Sequence, residues 1–187
     1  MANHVSNVLS ITSEVPEAIE AFYDVFTKIT SLEEQGLQYS HFLPQWGGEW
    51  PNRDYMEEVI GANWATFESI DDDNINITSA WSSISSYIKN LGHYLYEIDP
   101  NVIITCKYID ELYNFAGVVL FHDHGIDWRE ESGNWFIEEK NLEGSIDDEW
   151  GVLPSDSDDA ELFLTTAIDN FLERWEKQLI KISRNDT

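Results

Sequence analysis

Four consecutive turn formers, Asp71-Asp72-Asp73-Asn74, stand between two runs rich in β-branched and aromatic residues, Trp64 to Ile70 and Ile75 to Trp81. Short polar turns of this composition join antiparallel strands, so the two runs are predicted to form a hairpin. The rest of the chain is read around it. On the N-terminal side, Val5 to Thr12 is aliphatic and β-branched and reads as a strand. Ser13 then opens a helix, with Pro16 tolerated in the first turn and Glu14 and Glu17 favoured by the helix dipole. Val15, Ile19, Phe22, Phe26 and Ile29 recur at spacings of three and four and predict its buried face.

On the C-terminal side, Ser82 or Ser83 is expected to cap a second helix that runs to about Ile98, with Ile84, Ile88, Leu91 and Leu95 buried. Asp99-Pro100 ends it, because the residue before a proline disfavours the helical region. Val102 to Ile109 and Phe115 to His122 read as two more strands, and Trp135 to Lys140 as a third. Tyr39 to Pro51, rich in Gly, Pro and Trp, reads as a loop, followed by a short helix from Asn52 to about Ile60. Ser157, Asp158 and Asp159 start a last helix whose stripe is Leu162, Ala167, Ile168, Phe171, Leu172, Trp175 and Leu179.

The first six elements follow the split βαβ order, so the fold class expected is α+β: a ferredoxin-like antiparallel sheet with helices on one face. Extra C-terminal strands and a long C-terminal helix extend it. Residues 1–187 read as a single domain, with 1–125 the ferredoxin-like portion and 126–187 an acidic C-terminal elaboration.

Composition enters here because the chain must fold against its own charge. It carries 36 Asp and Glu against 10 Lys and Arg, a formal net charge of -26. An acidic disordered tail would lack apolar material, yet 42% of this chain is apolar and 13% aromatic, enough for a core. Repulsion of this size destabilises a compact state, so either the environment demands it, as in halophiles, or a partner reads the negative surface. Direct contact with a nucleic-acid backbone or an anionic membrane is opposed by the field, and basic proteins are the natural partners. The excess is densest between Asp127 and Glu161, where thirteen acids face only Arg129 and Lys140. They are Asp127, Glu130, Glu131, Glu138, Glu139, Glu143, Asp147, Asp148, Glu149, Asp156, Asp158, Asp159 and Glu161. These residues, with Trp128, form the predicted partner-binding surface. Cys106 is the lone cysteine, so no intramolecular disulfide is possible. With neither a signal-like N-terminus nor a membrane-length apolar run, a bacterial cytoplasm is the compartment expected.

Four segments carry a family likeness: MANHVSNVLSIT at the start, IGANWATFES at 60–69, ITSAWSSI at 77–84 and FAGVVLFHDHG at 115–125. Together, over roughly residues 1–125, they resemble the Api92-like proteins, a phage and mobile-element family with a ferredoxin-like domain. Gly61, Trp64 and Ala65 match a Trp-Gly-x-Lys-Trp-x-Ala pattern in which Ile60 and Asn63 replace the Trp and Lys. Ala80, Trp81 and Ser82 match a Thr-Ala-Trp-Ser-Pro-Pro pattern in which Ser79, Ser83 and Ile84 depart, and Gly117 matches a strand glycine. The tryptophans read as architectural, Trp81 packing over a helix start. The resemblance implies a fold and a genomic setting, in which a small acidic protein is expected to antagonise host defence.

Chemistry-bearing motifs read as bland. His122-Asp123-His124 with Asp127 is the best metal-like cluster, but it falls at a strand end before Gly125 and is read as a solvated turn. The Asp71 run lacks the ligand spacing of an EF-hand, with Ile75 and Asn76 at its fifth and sixth positions. Cys106 sits mid-strand as a structural thiol would, and neither a nucleophile elbow nor a phosphate-binding loop is present. No enzyme activity, metal or cofactor is expected. Trp46, Trp50 and Trp128 read as loop residues, buried as anchors or, if exposed, able to act as hot spots beside the acidic rim.

The function expected is binding and inhibition of a basic host nucleic-acid-processing defence protein, such as a restriction enzyme, a CRISPR effector or another nuclease, by nucleic-acid mimicry. The alternative is a non-catalytic structural or regulatory phage module whose acidity serves solubility or assembly, as monomer or homodimer. A metal-dependent enzyme built on His122 is a third reading.

Overall fold

Alternation along the first strand sets the layers. In β1 (His4–Thr12), Val5, Asn7 and Leu9 are buried on one face while Ser6, Val8 and Ser10 occupy the other. The computed structural model describes residues 3–33, 56–63, 65–133 and 158–185, and its fold is α+β around one open sheet. β1 lies between β3 (Asn74–Ala80) and β4 (Ile103–Asp110), antiparallel to both. β2 (Ala65–Asp71) pairs with β3, β5 (Phe115–His122) with β4, and β6 (Gly125–Ser132) with β5, giving the order β2-β3-β1-β4-β5-β6. The predicted hairpin is formed. Asp72 and Asp73 both take left-handed φ values of 46° and 66°, which aspartate tolerates better than most residues and which suit a two-residue turn.

α1 (Pro16–Glu33) and α2 (Ser85–Tyr96) cover the face that bears Val5 and Leu9. α1 buries Ala18, Phe22, Val25 and Phe26; α2 buries Tyr87, Ile88, Leu91 and Leu95. Gly92 lets α2 come close, because a Cβ there would stand 2.2–2.4 Å from the ring of Phe121 on β5. The expected serine cap of α2 is not used. Its first residue is preceded by Ile84, whose N–H donates to Asn7 Oδ1 at 3.4 Å, while Ser82 Oγ donates to Gly61 O at 2.6 Å. Asn7, fully buried in β1, also donates through Nδ2 to Ile77 O (3.2 Å) and Ser79 Oγ (2.8 Å). A strand residue thus supplies the acceptor that the helix lacks locally. Of the short helix expected to Ile60, the described part is a single π turn, Met56–Ile60.

α3 (Asp158–Asn185) lies on the side of the sheet opposite α1 and α2. Its Ile168, Phe171, Leu172 and Trp175 pack on Ala116 and Val118 of β5 in a core of their own. Each aliphatic or phenyl side chain buried there contributes about 1.5–3 kcal/mol. β5 is consequently covered on both faces, which explains why Phe115 to Phe121 is an unbroken apolar run rather than an alternation. The turn expected after His122 is there, but it is tight: Asp123 and His124, at φ 43° and 63°, send the chain directly into β6, over residues where no strand is predicted from the sequence. The loop from Tyr39 to Pro51 and the strand expected from Trp135 to Lys140 lie outside the described residues.

Candidate functional site

β6 is the outermost strand on its side of the sheet among the described residues, and it carries the start of the predicted acidic surface. Asp127, Trp128, Glu130 and Glu131 lie on it, with Trp128 on a strand rather than in a loop. Asp158, Asp159 and Glu161 fall in the first turn of α3, and Glu138, Glu139, Glu143, Asp147, Asp148, Glu149 and Asp156 lie outside the described residues, as do Trp46 and Trp50.

The period of two splits the β6 residues between faces. Asp127, Arg129 and Glu131 project toward the side of α3, and there each has a partner. The Arg129 guanidinium lies 4.6 Å from the centre of the buried Trp175 ring, and its Nη2 is 3.9 Å from Glu131 Oε1. Asp127 Oδ2 is 2.7 Å from His122 Nε2. The opposite face of the strand is unlike this. Trp128 is 64% exposed. Glu130, also exposed, accepts a 2.8 Å hydrogen bond from the Tyr108 hydroxyl. Tyr108 reaches it by crossing Gly117, its register partner on β5, where a Cβ would be 2.4 Å from the hydroxyl oxygen and 2.5 Å from Arg129 O. Burial, then the hydrogen bond to Glu130 and the charge of that carboxylate, pushes the Tyr108 hydroxyl well above the ordinary tyrosine range, so it stays a donor.

The metal-like cluster comes apart. His122 ends β5 on the α3 side, bound to Asp127, whereas His124 sits beyond the turn against Tyr96 and His93 of α2, with ring centres 3.6 and 6.0 Å away. Among the described residues no three His, Cys, Asp or Glu side chains gather as a metal site would need. Cys106 is buried, and burial drives its thiol above the usual range, against the thiolate a nucleophile requires.

Trp81 overturns the architectural reading. It is 54% exposed and holds a left-handed φ of 73° at the end of β3, where its N–H donates to Asn3 O at 3.0 Å. The acidity is also wider than residues 127–161: Glu14 just before α1 and Glu17, Glu20 and Asp24 on it are exposed, and Tyr23 ties the helix to the β2–β3 turn by donating to Asp73 O at 2.8 Å. Sequence reasoning missed the roles of Tyr108, Gly117, Arg129 and Trp175. The Gly117 signal, a lone glycine in an apolar strand, was available but pointed to family likeness rather than to a tyrosine crossing. No helix among the described residues is long and apolar enough to cross a membrane. Comparison with protein-family models, characterised proteins and solved structures found no match.

Proposed function

We propose that this chain is a non-catalytic binding protein whose β6 face docks a basic, nucleic-acid-processing host protein and blocks it. The observation that carries this reading is Trp128, a large apolar side chain left 64% exposed on an outer strand between carboxylates. Exposed tryptophans at the centre of polar rims are the usual hot spots of protein interfaces. The surrounding Asp127, Glu130 and Glu131 steer such an encounter toward positive charge, and the net charge of -26 extends that field. A restriction enzyme, a CRISPR effector or another nuclease has the required basic groove, and carboxylates in place of phosphates are the means of inhibition. The strand order β2-β3-β1-β4, with two helices on one face, supports reading the first six elements as a ferredoxin-like split βαβ unit of the Api92-like kind, set in a phage or mobile element.

Affinity purification of the whole chain from a bacterial host, at low and high salt, tests the reading. A basic nucleic-acid enzyme that is retained, is displaced by nucleic acid and is released steeply by salt supports it. Capture that ignores both salt and nucleic acid refutes mimicry.

A second reading, a structural or regulatory module whose acidity serves solubility or assembly, draws on the carboxylates of α1, which lie at the far edge of the sheet from β6. Loss of binding on neutralising β6 alone argues against it.

A further inference from the structure

The two faces of β6 present the same chemical parts, one set complete and the other missing its cation. On the α3 side, an aromatic ring (Trp175), a carboxylate (Glu131) and a guanidinium (Arg129) form a closed group, the guanidinium 4.6 Å from the ring centre and 3.9 Å from the carboxylate oxygen. On the other side, Trp128 and Glu130 supply a ring and a carboxylate on one face of the strand, two residues and so roughly 6.8 Å apart along it. Among the described residues no cation lies over Trp128.

We propose that Trp128 and Glu130 form a receptor for an arginine side chain of the basic partner. The inference rests on the proposed function and names its anchor. Three observations favour arginine. The carboxylate is held in advance by the Tyr108 hydroxyl at 2.8 Å, so little side-chain freedom is lost when a cation arrives. The single arginine of β6 is turned to the opposite face and engaged there by Trp175 and Glu131, so it does not neutralise Glu130. A planar guanidinium can lie on an indole face and point its N–H groups at a carboxylate in the same plane, whereas an ammonium is a more strongly hydrated point charge.

The test uses the full-length protein with oligo-arginine and oligolysine peptides of equal length, followed by NMR at the Trp128 indole N–H, which is identified by its loss in Trp128→Leu. Oligo-arginine is expected to move that resonance and to bind roughly two- to fivefold more tightly than oligolysine, the gain set by an exposed cation–π contact. Trp128→Leu, which keeps an apolar side chain, and Glu130→Gln should each remove the preference. Asp24→Asn, a neutralisation on α1, should leave it intact. Equal affinity for the two peptides, or a preference that survives Trp128→Leu, overturns the inference. If a basic partner is captured from the host and neither β6 substitution weakens it, the arginine site is wrong while the proposed function stands. If the peptides discriminate as stated and no basic protein is retained, the site stands and the function falls.

Discussion

Replacing Gly92 with alanine sets two opposing effects against each other, and the geometry decides between them. In an exposed helix interior the change would stabilise by about 0.8–1.0 kcal/mol, because glycine loses more backbone entropy. Here the new Cβ would stand 2.2–2.4 Å from three atoms of the Phe121 ring, more than 1 Å inside a normal contact of about 3.5–4.0 Å. The ring cannot step aside freely: Phe121 is fully buried, paired with Ile104 across the sheet and edge-on to His93 at 5.4 Å. Overpacking of a tight core costs about 1–3 kcal/mol, and so large an overlap belongs at the upper end. The net expectation is a loss of about 1–2 kcal/mol, or a Tm lower by roughly 2–8 °C in a chain of this size. Urea denaturation of the parent, Gly92→Ala, Phe121→Leu and the double variant measures it as a cycle. In the Phe121→Leu background the alanine should be neutral or stabilising. A Gly92→Ala protein as stable as its parent, or an equal cost in both backgrounds, would refute the close-approach argument.

Alkaline pH should unfold the protein cooperatively. Burial raises Tyr87, Tyr108 and Cys106 above their ordinary values of 10.0, 10.0 and 9.0, with Glu130 adding to the shift of Tyr108. The folded state then holds protons that the unfolded state releases, so this contribution is complete below the unfolded values and is lost as pH rises past them. Each group removes about 1.4 kcal/mol per pH unit in that window. A urea midpoint that stays level between about pH 8 and 11 contradicts this, and Tyr108→Phe should flatten the fall. Asn7→Ala should cost about 2–3 kcal/mol by stranding the Ile84 N–H and removing the donor to Ser79 Oγ and Ile77 O, measured by chemical denaturation, with a loss under about 0.5 kcal/mol counting against the buried network. Added salt should raise Tm, since shortening the Debye length from about 30 Å to about 8 Å relieves repulsion among uncompensated carboxylates. A Tm that falls over this range would mean that the local ion pairs outweigh the net charge.

The sequence by itself determined the local elements with periodic or turn-coded signals. The Asp71 run specified the hairpin, and the three-and-four spacing of Phe22, Phe26, Ile88, Leu91 and Leu95 specified which helix faces are buried. It also set the net charge. What only the tertiary structure decided are contacts between residues far apart in the chain. The cap on α2 comes from Asn7, 77 residues before the N–H it receives. The separation of His122 from His124 depends on two left-handed residues that send their rings to opposite faces of the sheet. Glu130 is fixed only because Gly117 leaves room for Tyr108, and Arg129 is engaged on its own side of the strand only because α3 brings Trp175 to it. Periodicity encodes which side of an element is apolar, since that depends on the chain's own repeat. It cannot encode what will lie against that side, because sheet register and helix docking are settled by the packing of the whole chain.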